Sequence, residues 1–116
     1  MFRIWCRSKI SKARITGLEL DYEGSITLST ELIEAADILP GERVQVVNLN
    51  NGNRLDTYVI EGPPGSNEVL LNGPAARKGM VGDLIMVLAY AAGEPEEIKP
   101  PIVVHVDENN RPLKKA

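Results

Sequence analysis

One cysteine, Cys6, and one histidine, His105, are all that this chain of 116 residues offers of two side chains often used to bind metals or attack carbonyls. A structural zinc site wants four Cys or His ligands and an intrachain disulfide wants two cysteines, so neither is expected. A Ser-His-Asp arrangement would have to run through His105, which sits in a Val-Val-His-Val run and reads first as a strand histidine. A metal held by carboxylates alone would want an Asp-x-Asp-x-Asp-Gly spacing, and none occurs. What remains is a set of ordinary residues: Lys9, Gly24-Ser25, Arg54, Thr57-Tyr58 and Asn72-Gly73-Pro74-Ala75. Each has a plain structural reading. Glycine before serine is most often a turn, Lys9 and Arg54 read as solvated strand charge, and Thr57 suits a strand by propensity. Tyr58 alternates with Thr57 and Val59 as a packing residue would. A phenol with a reference pKa of about 10 stays protonated at neutral pH, which also suits it to donating a proton.

The elements that must hold these residues belong to one domain. A chain of this length buries enough surface to do without a disulfide or metal. Thirteen basic against sixteen acidic side chains leave a net charge of −3, and aromatic residues make up 4%. Such a chain lacks the positive charge and stacking platforms of a nucleic-acid binder, so no nucleic-acid partner is expected. No signal peptide is visible, because Arg3, Arg7 and Lys9 interrupt the start before an apolar run forms. The longest apolar stretch, Leu84 to Ala92, is too short to span a bilayer, so a cytoplasmic protein with no membrane association is expected.

Alternation of Phe2, Ile4 and Cys6 with Arg3, Trp5 and Arg7 predicts a half-buried strand, continued in extended form from Ile10 to Ile15. A bend at residues 21–25 leads to a short strand around Ile26 and Leu28. Ser29 or Thr30 then caps a helix through Ala36 that Pro40-Gly41 stops. Val44–Leu49 and Leu55–Glu61 read as a hairpin around Asn50-Asn51-Gly52-Asn53. Val69–Leu71 is another strand, and Pro74 opens a short helix that Gly79 can close. Leu84–Tyr90, apolar at every position, predicts a strand covered on both faces, and Ile102–Val106 a last one. The polar tail from about 107 to 116 is expected to be loosely ordered. Many short strands with brief helices predict a small, mainly β barrel.

Four segments, in this order and spacing, are similar to the aspartate 1-decarboxylase family: Tyr22-Glu23-Gly24-Ser25, Asn51 to Tyr58, Leu71 to Arg77, and Val81-Gly82-Asp83. Arg7-Ser8-Lys9-Ile10 fits as well, and the similarity runs from about Phe2 to Tyr90. The resemblance implies a six-stranded double-psi β-barrel in one domain, residues 1–116, assembled as a homotetramer with active sites between subunits. It implies decarboxylation of L-aspartate to β-alanine and carbon dioxide, feeding pantothenate and coenzyme A synthesis. Removing carbon dioxide from an amino acid leaves electrons at Cα that no ordinary side chain accepts. The family meets this need with a covalently bound pyruvoyl group made from its own serine, which forms a Schiff base with the substrate. No metal and no pyridoxal phosphate is implied.

On this chain the resemblance places self-cleavage between Gly24 and Ser25, giving a β chain of residues 1–24 and an α chain of residues 25–116. Ser25 Oγ attacks the Gly24 carbonyl carbon, and elimination and loss of ammonia leave the pyruvoyl group at position 25. Glycine at position 24 is expected for backbone freedom and close approach. The residue matching Thr57 is given the oxyanion role, and Tyr58 that of proton donor. Arg54 and Lys9 supply positive charge for a dicarboxylic substrate. Thr57, Asn72, Gly73, Pro74 and Ala75 complete the substrate-binding set. Two departures matter: Pro74 stands where many relatives have alanine, so an amide contact must come from Gly73 or Ala75. Ser11 stands where relatives often have histidine. An accessory maturation protein is left open. Small barrels of this class also serve as binding modules, a rival reading that an intact chain would favour.

Overall fold

The computed structural model describes residues 1–113; Lys114, Lys115 and Ala116 lie outside the described residues. Eight strands form one sheet: β1 Arg3–Arg14, β2 Gly17–Glu19, β3 Ser25–Ser29, β4 Arg43–Asn48, β5 Arg54–Gly62, β6 Val69–Asn72, β7 Leu84–Gly93 and β8 Ile102–His105. Their order is β2-β6-β3-β5-β4-β7-β1-β8. Among the described residues the one α-helix is α1, Thr30–Ala36; short 3₁₀ helices span Gly73–Lys78 and Pro95–Glu97. The molecule is thus mainly β with short helices, as expected, but eight strands stand where six were expected. The extra pairings include β2, three residues running parallel to β6, and β8, parallel to β1 at the other end of the order.

The core gathers Ile10, Ile26, Leu28, Leu32, Val44, Val46, Val59, Leu71, Ile85 and Val87, one residue in two from the facing strands. Strand β3 departs from that rule. All five of its residues are buried, because β5 flanks it in parallel and β6 in antiparallel fashion, and α1 and the 3₁₀ helix Gly73–Lys78 pack near it. In β7 Ile85, Val87, Ala89 and the terminal Gly93 are buried; Leu84, Met86 and Leu88 are half-covered, so one face of this strand is more open than its composition predicts. Helix α1 ends at Asp37, whose left-handed backbone (φ 54°) sends its N–H to the Glu34 and Ile33 carbonyls, before Pro40-Gly41 is reached. Its first turn has no side-chain cap from Ser29. Ser8 Oγ donates to the last helical carbonyl, Ala36, at 2.6 Å and ties α1 to β1.

Phe2 and Ile4 do not face the core; they are 72% and 77% exposed. An irregularity at Arg7 shifts the β1–β7 register between Cys6 and Ser8. Cys6 lies opposite Tyr90 while Ser8 lies opposite the buried Ala89, so the alternation turns over at this point. Ile4 and Cys6 therefore share the outer face with Tyr90. A second shift, around Lys12 at φ 56°, restores Ala13 and Ile15 to the interior.

Residues 107–113, expected to be loosely ordered, instead fold back. Asp107 and Arg111 close a turn, Val106 pairs with Pro112, and Asn110 is buried. The Asn110 amide donates to the Arg14 and Asn67 carbonyls and its Oδ1 accepts the Arg14 N–H, filling backbone bonds that β1 leaves open at its end.

Candidate active site

Ser25 opens β3 opposite Asn72 on β6 and is fully buried. The Asn72 amide donates to Ser25 Oγ at 2.8 Å and, from the same nitrogen, to Thr27 Oγ1 at 2.9 Å. The Ser25 hydroxyl reaches the Glu23 carbonyl only at a long 3.5 Å. The parallel register Ile26–Val59 sets Tyr58 one residue before Val59, as Ser25 stands one before Ile26. Gly24 and the Thr57-Tyr58 pair thus meet at the same end of the β3–β5 ribbon.

They share a cavity of about 390 Å³ lined by Gly24, Leu55, Asp56, Thr57, Tyr58, Pro74, Ala75 and Lys78. Of the expected site residues, Gly24, Thr57, Tyr58, Pro74 and Ala75 are brought together here, with Ser25 buried immediately behind Gly24. Asn72 and Gly73 stand in the wall, buried, rather than at the lining.

The close approach expected at Gly24 falls on Gly73. A Cβ on Gly24 would meet only the Pro74 Cδ, at an ordinary 3.7 Å. A Cβ on Gly73 would lie 2.3 Å from the Tyr22 carbonyl oxygen and 2.9 Å from the Gly24 nitrogen, and Gly73 has φ +62°. The 73–74 turn is therefore folded against the backbone of the Gly24 bend.

Three asparagines hold the far wall. Asn48, Asn51 and Asn53 all donate to the Lys78 carbonyl, at 3.2, 3.1 and 3.5 Å. Asn48 also donates to Asp83, whose carboxylate accepts the Met80 N–H as well. These bonds, first the Asn48 side chain and then the Met80 amide, hold the Asp83 carboxyl below its usual range. The Asn51-Gly52-Asn53 and Val81-Gly82-Asp83 segments thus position the strand that carries Arg54, Thr57 and Tyr58.

Lys9 and Arg54 do not line the cavity. Lys9 lies on β1 opposite Leu88, and β7, β4 and β5 separate that strand from β3. Arg54 begins β5, four residues before Tyr58 and about 13 Å along an extended strand. Alternation puts Lys9, Leu88, Gln45, Arg54, Asp56 and Tyr58 on one outer face of the sheet. Among the described residues neither Lys9 nor Arg54 has an ion-pair partner, whereas Arg43 is paired with Asp56 at 2.9 Å. His105, the one histidine, pairs in register with Ser11 and so carries an imidazole to the strand position beside it.

The sequence reading missed Thr27, which shares Asn72 with Ser25, and Lys78, the cation lining the cavity. Thr27 had a signal, its two-residue spacing from Ser25 on a strand; Lys78 at the end of a short helix had none.

The chain from residue 1 to 113 matches the family model described as aspartate decarboxylase. The aspartate 1-decarboxylase of Thermoanaerobacter pseudethanolicus is 51% identical over 115 residues, covering 97% of this chain and 98% of its own. That of Kosmotoga olearia is 50% identical over 115 residues, covering 99% and 100%. That of Desulfitobacterium hafniense is 52% identical over 118 residues, covering 100% and 93%.

Proposed function

The chain belongs to the aspartate decarboxylase family, and from it we propose that this enzyme converts L-aspartate to β-alanine with a ketone made from its own Ser25. The activity is that of a lyase; the finer assignment concerns how the chain equips itself. The observation that carries it is the junction of Gly24 and Ser25: the glycine borders the cavity, and the serine oxygen behind it already accepts an N–H from buried Asn72. These residues fit a pyruvoyl group at position 25, because the donor aimed at Oγ suits an oxygen that must depart carrying negative charge.

In this reading Ser25 Oγ attacks the Gly24 carbonyl carbon and the Gly24–Ser25 amide becomes an ester. The Thr57 hydroxyl, at the same end of the ribbon, donates to the oxyanion of that step. The ester opens by elimination to leave residues 1–24 and a second chain beginning with dehydroalanine at position 25, whose Cα then takes oxygen from water and releases its nitrogen as ammonia. A ketone there supplies the electron sink for the pair left at Cα when carbon dioxide leaves. Tyr58, half-exposed at the cavity, places its phenol O–H where it can donate the proton that Cα takes up. Arg54 and Lys9 hold the two carboxylates of the substrate, and Asn72, Gly73, Pro74 and Ala75 shape its seat, with amides from Gly73 or Ala75.

Because Lys9 and Arg54 share an outer face that also carries half-covered Leu88, Met86 and Val47, the same reading includes a homotetramer whose sites lie between subunits. It also includes the double-psi path of the barrel, a cytoplasmic setting, and a product that feeds pantothenate and coenzyme A synthesis. No helix among the described residues is long and apolar enough to cross a membrane.

Intact-protein mass spectrometry of aged enzyme tests the reading. Two chains divided after Gly24 are expected, and a single chain that still decarboxylates aspartate would overturn it. Ser25→Ala should stay full length and inactive. Arg54→Ala should raise KM for aspartate about tenfold or more while leaving cleavage intact.

A further inference from the structure

We infer that Thr27 is a positioning residue for self-cleavage: it accepts one N–H of the Asn72 amide and so holds the other on Ser25 Oγ. The inference rests on the proposed cleavage at Gly24–Ser25. Thr27 stands two residues after Ser25 on β3, so both hydroxyls leave the same face of the strand toward β6. All three side chains are at least nine-tenths buried: Ser25 at 0%, Asn72 at 2% and Thr27 at 9% exposure. The Asn72 nitrogen has two hydrogens, and two oxygens at 2.8 and 2.9 Å take them. Remove the Thr27 acceptor and one buried N–H has no partner. The amide then gains by turning away to find one, and Ser25 Oγ loses its donor.

The consequence falls on one step. An N–H on Oγ occupies a lone pair and gives no help to the attack on Gly24. It helps when Oγ leaves. In the ester, a water molecule takes the proton from Ser25 Cα, and the freed electron pair forms the Cα–Cβ double bond. The Cβ–Oγ bond breaks, its pair passes to Oγ, and Oγ departs as the carboxylate of Gly24. Negative charge grows on the atom at which the Asn72 N–H points.

Wild type, Thr27→Val and Thr27→Ser are to be compared by timed intact-protein mass spectrometry with and without brief neutral hydroxylamine, which cuts an ester; fragment masses separate a cut after Gly24 from one at Asn51-Gly52 or Asn72-Gly73. Valine keeps the shape and loses the acceptor; serine keeps the acceptor and loses the methyl. Thr27→Val is expected to mature about tenfold more slowly or worse and to accumulate a full-length chain that hydroxylamine cuts, with Thr27→Ser near the wild-type rate. Maturation of Thr27→Val at the wild-type rate, absence of the hydroxylamine-sensitive species, or a Thr27→Ser as slow as Thr27→Val would each overturn the inference. If circular dichroism shows Thr27→Val unfolded, Thr27→Ala supplies the same comparison. A wild type that stays whole and resists hydroxylamine would overturn the cleavage reading and this inference with it, whereas a wild type that cleaves beside an unaffected Thr27→Val removes the inference alone.

Discussion

At position 73 a methyl group would sit 2.3 Å from the Tyr22 carbonyl oxygen, on a residue whose φ is +62°. Relief would require moving the backbone that leads into Gly24. Gly73→Ala is expected to lower stability by about 2–3 kcal/mol, from steric conflict and left-handed backbone together, and to slow cleavage. Gly24→Ala meets only Pro74 at 3.7 Å, so its thermal midpoint should stay within a few degrees of wild type. Paired melting curves with product masses decide the matter, and equal destabilisation of the two variants would remove Gly73 from this role. The sequence reading gave the close approach to Gly24 and only an amide contact to Gly73. Only the fold reveals the crowding at Gly73, because the residues that crowd it lie some fifty positions away in the chain.

Between elements, the hydrogen bonds that matter join segments far apart in sequence. Ser8 donates to the Ala36 carbonyl in the interior, so Ser8→Ala leaves that carbonyl unsatisfied and should cost about 1–2 kcal/mol in a denaturant melt. The Asn48–Asp83 contact makes a second, pH-dependent tie between the β4–β5 hairpin and the start of β7. The folded Asp83 carboxyl titrates below its reference value of 3.8. Its contribution is therefore complete above that value and is lost as pH falls through the lower folded one. Denaturant midpoints at pH 6 and pH 3 should fall further for wild type than for Asp83→Asn; parallel losses would assign the acid sensitivity elsewhere.

Strand positions were legible here because alternation and Asn-Gly punctuation are local signals, as at β4 and β5. The turnover at Arg7 was not, since such an irregularity carries no characteristic residue and shows only in the register with β7. Strand β2 is three residues long, too short for a period. The order of residues 107–113 depends on Asn110 meeting Arg14, 96 positions earlier, which no local pattern records.

For the molecule as a whole, the proposed cleavage and the proposed turnover draw on different sets of residues. Ser25, Thr27, Asn72 and Thr57 lie around one end of the β3–β5–β6 sheet region, within a single chain. Lys9 lies three strands away from Arg54, about 15 Å across the sheet, on an outer face that includes Ile4, Tyr90 and Leu88. A single chain holds the groups proposed for cleavage together and leaves the two cations proposed for the substrate apart, which an assembly of several chains would remedy by bringing one copy's face to another's cavity. Ile4 is 77% exposed, makes no part of the core, and lines a surface hollow with Tyr90, Arg43 and Asp56. Ile4→Asp combined with Leu88→Asp should therefore spare the barrel and disrupt contact between copies. Sedimentation is expected to show a smaller species, mass spectrometry still two chains, and decarboxylation a loss of about a hundredfold or more. A dissociated variant with full turnover would place the whole site in one chain. A dissociated variant that no longer cleaves would make maturation itself a property of the assembly.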